Sequence, residues 1–302
     1  MRAGELERVR PGVVRAKPVA LELVDRFDRH EERRNRYLDE IGAVAMTRRR
    51  PAVFAGRSAL AIWGYPVVGG WPASVELLEP PSTARRSKRG VTVHRARVDA
   101  EDVVSWGDHF VTTPARTLAD LARSGDFAAG VVALDHALSG RSRGAQALAK
   151  DDVLSVLDRL GTRRGLARAR RVVDFADGRS GSGGESLSRV GIFLMGFEMP
   201  ELQVRHPHPE GFYDADFEWP RTVARPSTIG EFDGVMKYLK DEYRRGADAS
   251  QVVVAEKLRE DFLREQGNGF VRWGWTEARV PAPALRAKLP RAGIRIVRRP
   301  LI

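Results

Sequence analysis

Residues 177–184 read Asp-Gly-Arg-Ser-Gly-Ser-Gly-Gly, a run of small polar residues without one apolar side chain. On both sides of it apolar residues recur at helical and strand spacings, so the run separates two regions that each carry buried faces of their own. The chain has 302 residues, enough for two ordinary domains. The sequence therefore predicts a first unit over residues 1–177, a linker over 178–184 and a second unit over 185–302.

Several classes are excluded early. No apolar run approaches the roughly 18 to 20 residues that a bilayer crossing needs; the longest is Gly191 to Phe197. Residues 1–8 carry acids and no apolar stretch, so they do not read as a secretory signal, and the chain is expected in the cytoplasm with no membrane partner. There is no cysteine, which removes disulfides, thiolate-bound metals and a catalytic thiol.

Lys and Arg number 51 against 40 Asp and Glu, a net charge of +11, and the first hundred residues hold 20 basic against 12 acidic groups. A basic first third is what a phosphate-facing surface needs, because each neutralised phosphate releases a counterion. DNA is the expected partner. Arg48, Arg49 and Arg50, and the loop residues Arg85, Arg86, Lys88 and Arg89, are the candidate contacts; the alternative for that loop is a solvated hairpin tip.

Gly4 to Ala16 alternates basic and apolar residues around Pro11-Gly12, the pattern of a β-hairpin. Between Leu21 and Met46, Val24, Phe27, Leu38, Ile41 and Ala45 recur at helical spacing, and the arginines before Pro51 end that helix. A short helix over 58–63 follows, then strands over 74–78, 90–94 and 109–112. Pro114 opens a further helix, with more over 127–138, 151–160 and 163–175. Past the polar run come a helix over 185–195, strands over 202–205, 213–219 and 228–233, helices over 236–245 and 252–266, and a strand over 269–273. The fold class is α/β, or α+β over the whole chain.

The densest chemistry lies in two of these strands. In Tyr213-Asp214-Ala215-Asp216-Phe217-Glu218-Trp219 a period of two sends Ala215, Phe217 and Trp219 to one face and the three acids to the other. Ile229-Gly230-Glu231-Phe232-Asp233-Gly234 likewise directs Glu231 and Asp233 to one face. If the two strands pair as a hairpin the carboxylates converge, a crowding that a cation or a proton must relieve. Magnesium or manganese suits such an all-oxygen site. A nuclease uses the ion to acidify an attacking water and to neutralise the scissile phosphate. Lys237 and Lys257 are the candidates for an accompanying cation. The alternative is a half-exposed strand whose acids simply face water.

These residues carry a resemblance. Gly184-Glu185-Ser186, Asp216-Phe217, Gly230-Glu231-Phe232-Asp233-Gly234, Lys237-Tyr238, Glu256-Lys257-Leu258-Arg259 and Val271-Arg272-Trp273 together resemble the restriction-endonuclease-like PD-(D/E)xK superfamily. The likeness is to the branch related to very-short-patch repair endonucleases, over about residues 183–280. It implies a central mixed sheet flanked by helices and magnesium-dependent hydrolysis of DNA. Glu185 would orient a metal or a water, and Asp216 and Glu231 would ligate the metal. The position two after Glu231 usually holds a lysine; here Asp233 stands there, adding a metal contact or orienting Lys257, with Lys257 or Lys237 restoring the charge from a helix.

In the first unit, Arg57-Ser58-Ala59-Leu60, Val91-Thr92-Val93-His94-Arg95 and the run from Val111 to Asp120 are similar to AbiEi-type antitoxins of type IV toxin–antitoxin systems, over about residues 1–140. That resemblance implies a mixed DNA- or partner-binding unit, with a cognate toxin protein as partner. Gly4 to Val14 resembles the wing of a winged helix-turn-helix whose recognition helix is missing. The expected function is a magnesium-dependent DNA endonuclease fused to an AbiEi-like unit, in phage defence or a toxin–antitoxin setting. Its rival is a non-catalytic DNA-binding regulator or antitoxin on a degenerate nuclease fold. His206-Pro207-His208-Pro209 reads as a proline-broken loop, and Trp71, Trp106, Trp273 and Trp275 as packing residues, with stacking on bases as the alternative.

Overall fold

A computed structural model describes residues 6–10, 12–16, 26–81, 87, 90–141, 148–161, 164–209, 211–233 and 249–299. The chain divides into two compact units, residues 1–176 and 177–302. Both mix helices with sheet, and no described helix is long and apolar enough to cross a membrane.

The first unit begins with an antiparallel hairpin, β1 (Leu6–Arg10) and β2 (Val13–Ala16). Helix α1 (Arg26–Thr47) follows, then β3 (Val53–Phe54), α2 (Gly56–Trp63), β4 (Val75–Glu79), β5 (Val91–Arg95), β6 (Val103–Trp106) and β7 (His109–Thr112). Strands β3 to β7 form one sheet in the order β5-β4-β3-β7-β6. Tyr37 and Ile41 of α1 pack on Phe54, Leu77 and Val111 of that sheet. Strands β4 and β5 run parallel, Val75 beside Val91, so the basic loop between them is a crossover and not a hairpin tip. Arg85, Arg86, Lys88 and Arg89 lie outside the described residues. Neither β3 nor β6 was expected: β3 has only two residues, and β6, Val-Val-Ser-Trp, does not alternate apolar with polar.

Four helices complete this unit: α3 (Pro114–Ser124), α4 (Phe127–Leu138), α5 (Lys150–Leu160) and α6 (Leu166–Phe175). Pro114 sits in the first turn of α3, where its missing N–H costs nothing, and the Thr113 hydroxyl accepts the Arg116 N–H at 3.3 Å.

The second unit runs α7 (Gly183–Leu194), β8 (Glu201–His208), β9 (Gly211–Trp219), β10 (Thr228–Asp233), α8 (Ala249–Glu265), β11 (Gly269–Gly274), α9 (Trp275–Ala278) and α10 (Pro283–Arg291). Its sheet has the order β11-β10-β9-β8, with β10 and β11 parallel and the other pairs antiparallel. The expected linker is largely used by the fold: Ser182 caps α7, and Gly183 and Gly184 are already helical. A Cβ on Gly184 would fall 2.1 Å from the Phe232 ring, so only glycine lets α7 approach β10 this closely. His206, Pro207 and His208 belong to β8 rather than to a loop. An edge strand has no ladder partner on one side and tolerates a proline there.

Ile192, Phe217, Trp219, Phe232 and Trp273 form the main core of this unit. Ala215 is buried too, but in a separate cluster with Ile229 and Leu263. The expectation of one shared face for Ala215, Phe217 and Trp219 therefore fails at Asp216, where the strand bends.

Candidate active site

The carboxylates that the sequence singles out are positioned by α7, β8, β9, β10 and α8. Ser182 fixes the first of them. Its hydroxyl accepts the Glu185 N–H at 3.2 Å, which holds Glu185 in the first turn of α7, at the positive end of the helix dipole. The Glu185 side chain is buried and turns back to accept the Gly181 N–H. Gln203 Nε2 donates to Glu185 Oε2 at 3.0 Å and to Asp216 Oδ1 at 3.3 Å. A single neutral amide thus bridges two carboxylates.

Gln203 reaches that position through an unusual backbone. Its φ is 52°, a left-handed conformation that residues other than glycine rarely adopt and that tends to mark functional sites. Leu202 pairs with Phe217 and Val204 with Ala215, while Gln203 and Asp216 between them make no ladder pair. The hairpin bends sharply here. His206 pairs with Tyr213, yet its Nε2 lies 2.8 Å from Glu218 Oε2, five positions further along β9. A flat ladder would separate those positions by roughly 16 Å. Asp216 sits at the bend, and its Oδ2 accepts the Phe232 N–H at 2.9 Å just past the last β9–β10 pair, Phe217 with Gly230.

Burial, and after it the charge of Glu185, push the Asp216 carboxyl up from 3.8 to about 7. The Phe232 N–H, Arg259 and the Gln203 amide pull the other way without cancelling that rise. Near neutral pH, Asp216 is therefore poised between acid and anion.

Glu231 is buried, and it faces a cation that the sequence analysis did not assign. Arg259 of α8 donates from Nη2 to Glu231 Oε1 at 2.8 Å and to the Asp214 carbonyl at 2.7 Å. Lys257, two residues earlier on the same helix, is exposed to solvent, so the cation that α8 brings to the carboxylates is Arg259. Lys237 lies outside the described residues. Asp233 ends β10 half-buried beside Gly274. Asp214 is engaged by Arg205 at 3.0 Å, and Glu218 by His206 and the Ser227 hydroxyl. Among the described residues no group of three or more His, Asp and Glu side chains is arranged to hold a metal ion. Asp216, Glu231 and Asp233 therefore do not form the three-carboxylate cage drawn from the sequence: Glu231 is turned to Arg259, and Asp216 to Gln203 and the Phe232 N–H.

Two residues of the site went unread in the sequence, Gln203 and Arg259. Nothing marks a glutamine in a strand as left-handed. Arg259 was visible beside Lys257, but choosing between them needs the rotation of α8. In the first unit, Arg48 is half-buried and pairs with Glu79 at 3.5 Å, while Arg49 and Arg50 are exposed.

No family model matches the chain. Two uncharacterized proteins of Mycobacterium tuberculosis, one from strain CDC 1551 and one from strain H37Rv, are each 29% identical to it over 190 residues, covering 62% of this chain and 66% of the relative.

Proposed function

We propose that residues 177–302 form a magnesium-dependent endonuclease domain of the PD-(D/E)xK type, acting on DNA phosphodiesters, and that the basic first unit holds DNA or a partner protein such as a cognate toxin. The observation that carries the reading is the pair of buried Glu185 and half-buried Asp216, bridged by Gln203 at a bend in the sheet. Two acids gathered in one buried place cost stability, and a protein keeps such a pair where it has work to do. The mixed sheet with flanking helices agrees with the fold that the resemblance implies.

The donor set fits the ion. It offers only oxygen, and magnesium commonly takes one or two carboxylates and completes its shell with water and substrate phosphate. Glu185 and Asp216 would hold it. When bound there, it supplies charge neutralisation at the phosphate and a more acidic water. Gln203 orients both carboxylates, and Phe232 N–H fixes the outer oxygen of Asp216. Arg259 provides positive charge in place of the usual lysine, on a guanidinium that stays protonated.

The deciding experiment is cleavage of supercoiled, linear and single-stranded DNA by the full chain in magnesium or manganese, with Asp216→Asn beside it. Cutting that needs the metal and disappears in the variant is the expected result. Cutting that survives in Asp216→Asn overturns the site.

A second reading has its own observation. Glu231 is closed by Arg259, and Asp233 occupies the usual lysine position, which favours a DNA-binding regulator or antitoxin on a retired nuclease fold. No cutting, together with salt-sensitive DNA binding, is the outcome expected of it.

A further inference from the structure

In the first unit a groove of 620 Å³ opens between the β1–β2 hairpin, α1 and residues 69–73. That volume lies within the roughly 300–1,000 Å³ of small-molecule sites. The hairpin is held in place over α1, since Arg15 donates to Asp39 at 2.6 Å and Arg10 to the Gly90 carbonyl at 3.4 Å.

Three kinds of chemistry meet on the groove's walls. Arg8 of the hairpin and Arg33 and Arg36 of α1 bring positive charge. Trp71 brings a flat apolar surface, stacked on Tyr37 with ring centroids 5.4 Å apart and planes at 23°. Tyr37 is itself locked, because its hydroxyl donates to the Ser74 carbonyl at 3.0 Å and meets Ser58 Oγ at 2.8 Å. Glu40 brings an acceptor.

Trp71 Nε1 is shielded from solvent, so the groove meets the ring of the indole and not its N–H. Gly69 and Gly70, with φ of 86° and 94°, line the same wall and have open space where side chains would stand.

We propose that this groove binds a nucleotide unit, with the base against the Trp71 ring, the phosphate on Arg8, Arg33 and Arg36, and Glu40 accepting from an amine or a sugar hydroxyl. The combination is selective. An acidic peptide would satisfy the arginines and leave Glu40 repelled, and an inorganic anion would leave the aromatic wall unused. The unit has two sources, a free nucleotide or a residue of a single strand, where stacking on aromatics and a basic groove are the usual means of binding. The inference is independent of the endonuclease reading.

The test is calorimetric titration of the full chain, in EDTA so that nothing is cut, with AMP, with a twelve-residue deoxyadenylate strand and with inorganic phosphate. Trp71→Phe, which keeps a ring on Tyr37 but narrows the stacking surface, is expected to weaken binding about threefold. The double variant Arg33→Gln/Arg36→Gln, on the exposed face of α1, is expected to weaken it further and flatten its salt dependence. Binding of AMP identifies the free nucleotide; binding of the strand alone, weakened by Trp71→Phe, identifies a nucleic-acid unit. Phosphate binding as tightly as AMP, no binding of either nucleotide ligand, or affinity indifferent to both variants overturns the proposal.

Discussion

Each unit of this chain buries a carboxylate cluster, and the two are solved in opposite ways. In the first unit Asp102 and Arg116 are fully buried and bonded to each other; Arg159 reaches Asp102 at 2.8 Å and Arg116 Nε reaches Asp120 at 2.8 Å. Burial alone would raise the Asp102 carboxyl, but the Arg159 hydrogen bond and the Arg116 charge outweigh it and hold Asp102 below its ordinary 3.8. In the second unit Asp216 receives burial and another carboxylate, and rises to about 7. The first arrangement ties α3 and α5 to the turn before β6, with arginine as the counter-charge of Asp102. The second is left wanting a cation or a proton, which is why the candidate site is placed there.

If that contrast is right, breaking the compensated cluster has the largest effect on stability. Asp102→Asn leaves the buried Arg116 with Asp120 as its remaining counter-charge and strips Arg159 of its buried partner, and is expected to cost about 3–5 kcal/mol in denaturant unfolding. A loss below about 1 kcal/mol would show that the cluster is not compensated as described. Because the folded Asp102 carboxyl lies below its unfolded value, its contribution is present above pH 3.8 and fades as the pH falls through the lower folded value.

The opposite sign is expected of Asp216. Its folded value of about 7 lies above the unfolded 3.8, so the carboxyl's contribution is full below the unfolded value and is lost as the pH rises towards 7. Asp216→Asn removes the charge and with it the loss. The variant is expected to be more stable than the parent by about 2–4 kcal/mol at pH 8 and nearly equal to it at pH 4. Melting curves at the two pH values check this; a variant weaker than the parent at pH 8 would mean that Asp216 already has its counter-charge.

The sequence showed the second unit better than the first for physical reasons. Its strands are long, and Phe217, Trp219, Phe232 and Trp273 carry their alternation openly. The first unit's sheet depends on β3, with two residues, and on a parallel β4–β5 pair that local spacing cannot distinguish from a hairpin. Within the site, Asp216 and Glu231 were readable because alternating acids on strands are conspicuous, and Glu185 through the resemblance that covers the start of α7. Gln203 and Arg259 were not, since a left-handed backbone and the rotation of a helix are tertiary outcomes.

The close approach of α7 to β10 is the next target. Gly184→Ala places a Cβ 2.1 Å from the Phe232 ring and is expected to cost about 1–3 kcal/mol by overpacking. Phe232→Leu, combined with it, should restore part of that loss, because the obstacle is the ring. A double variant as unstable as the two single losses added together would mean that the contact does not limit the helix.

The smallest effect on stability is expected at Gln203, and it bears most directly on what separates the two clusters. Asparagine tolerates the left-handed backbone better than most residues but is one methylene shorter. Gln203→Asn should therefore keep the bend, change stability by less than about 1 kcal/mol, and lose the amide bridge between Glu185 and Asp216. Since that amide holds the Asp216 carboxyl down, its loss should move the carboxyl's titration upward, as read from the carboxyl resonance by NMR. An unmoved titration would mean that Gln203 serves the bend alone. An upward shift with stability preserved would show that the strained residue is kept for what it does to the acids, in a molecule that elsewhere steadies its buried acids with arginine.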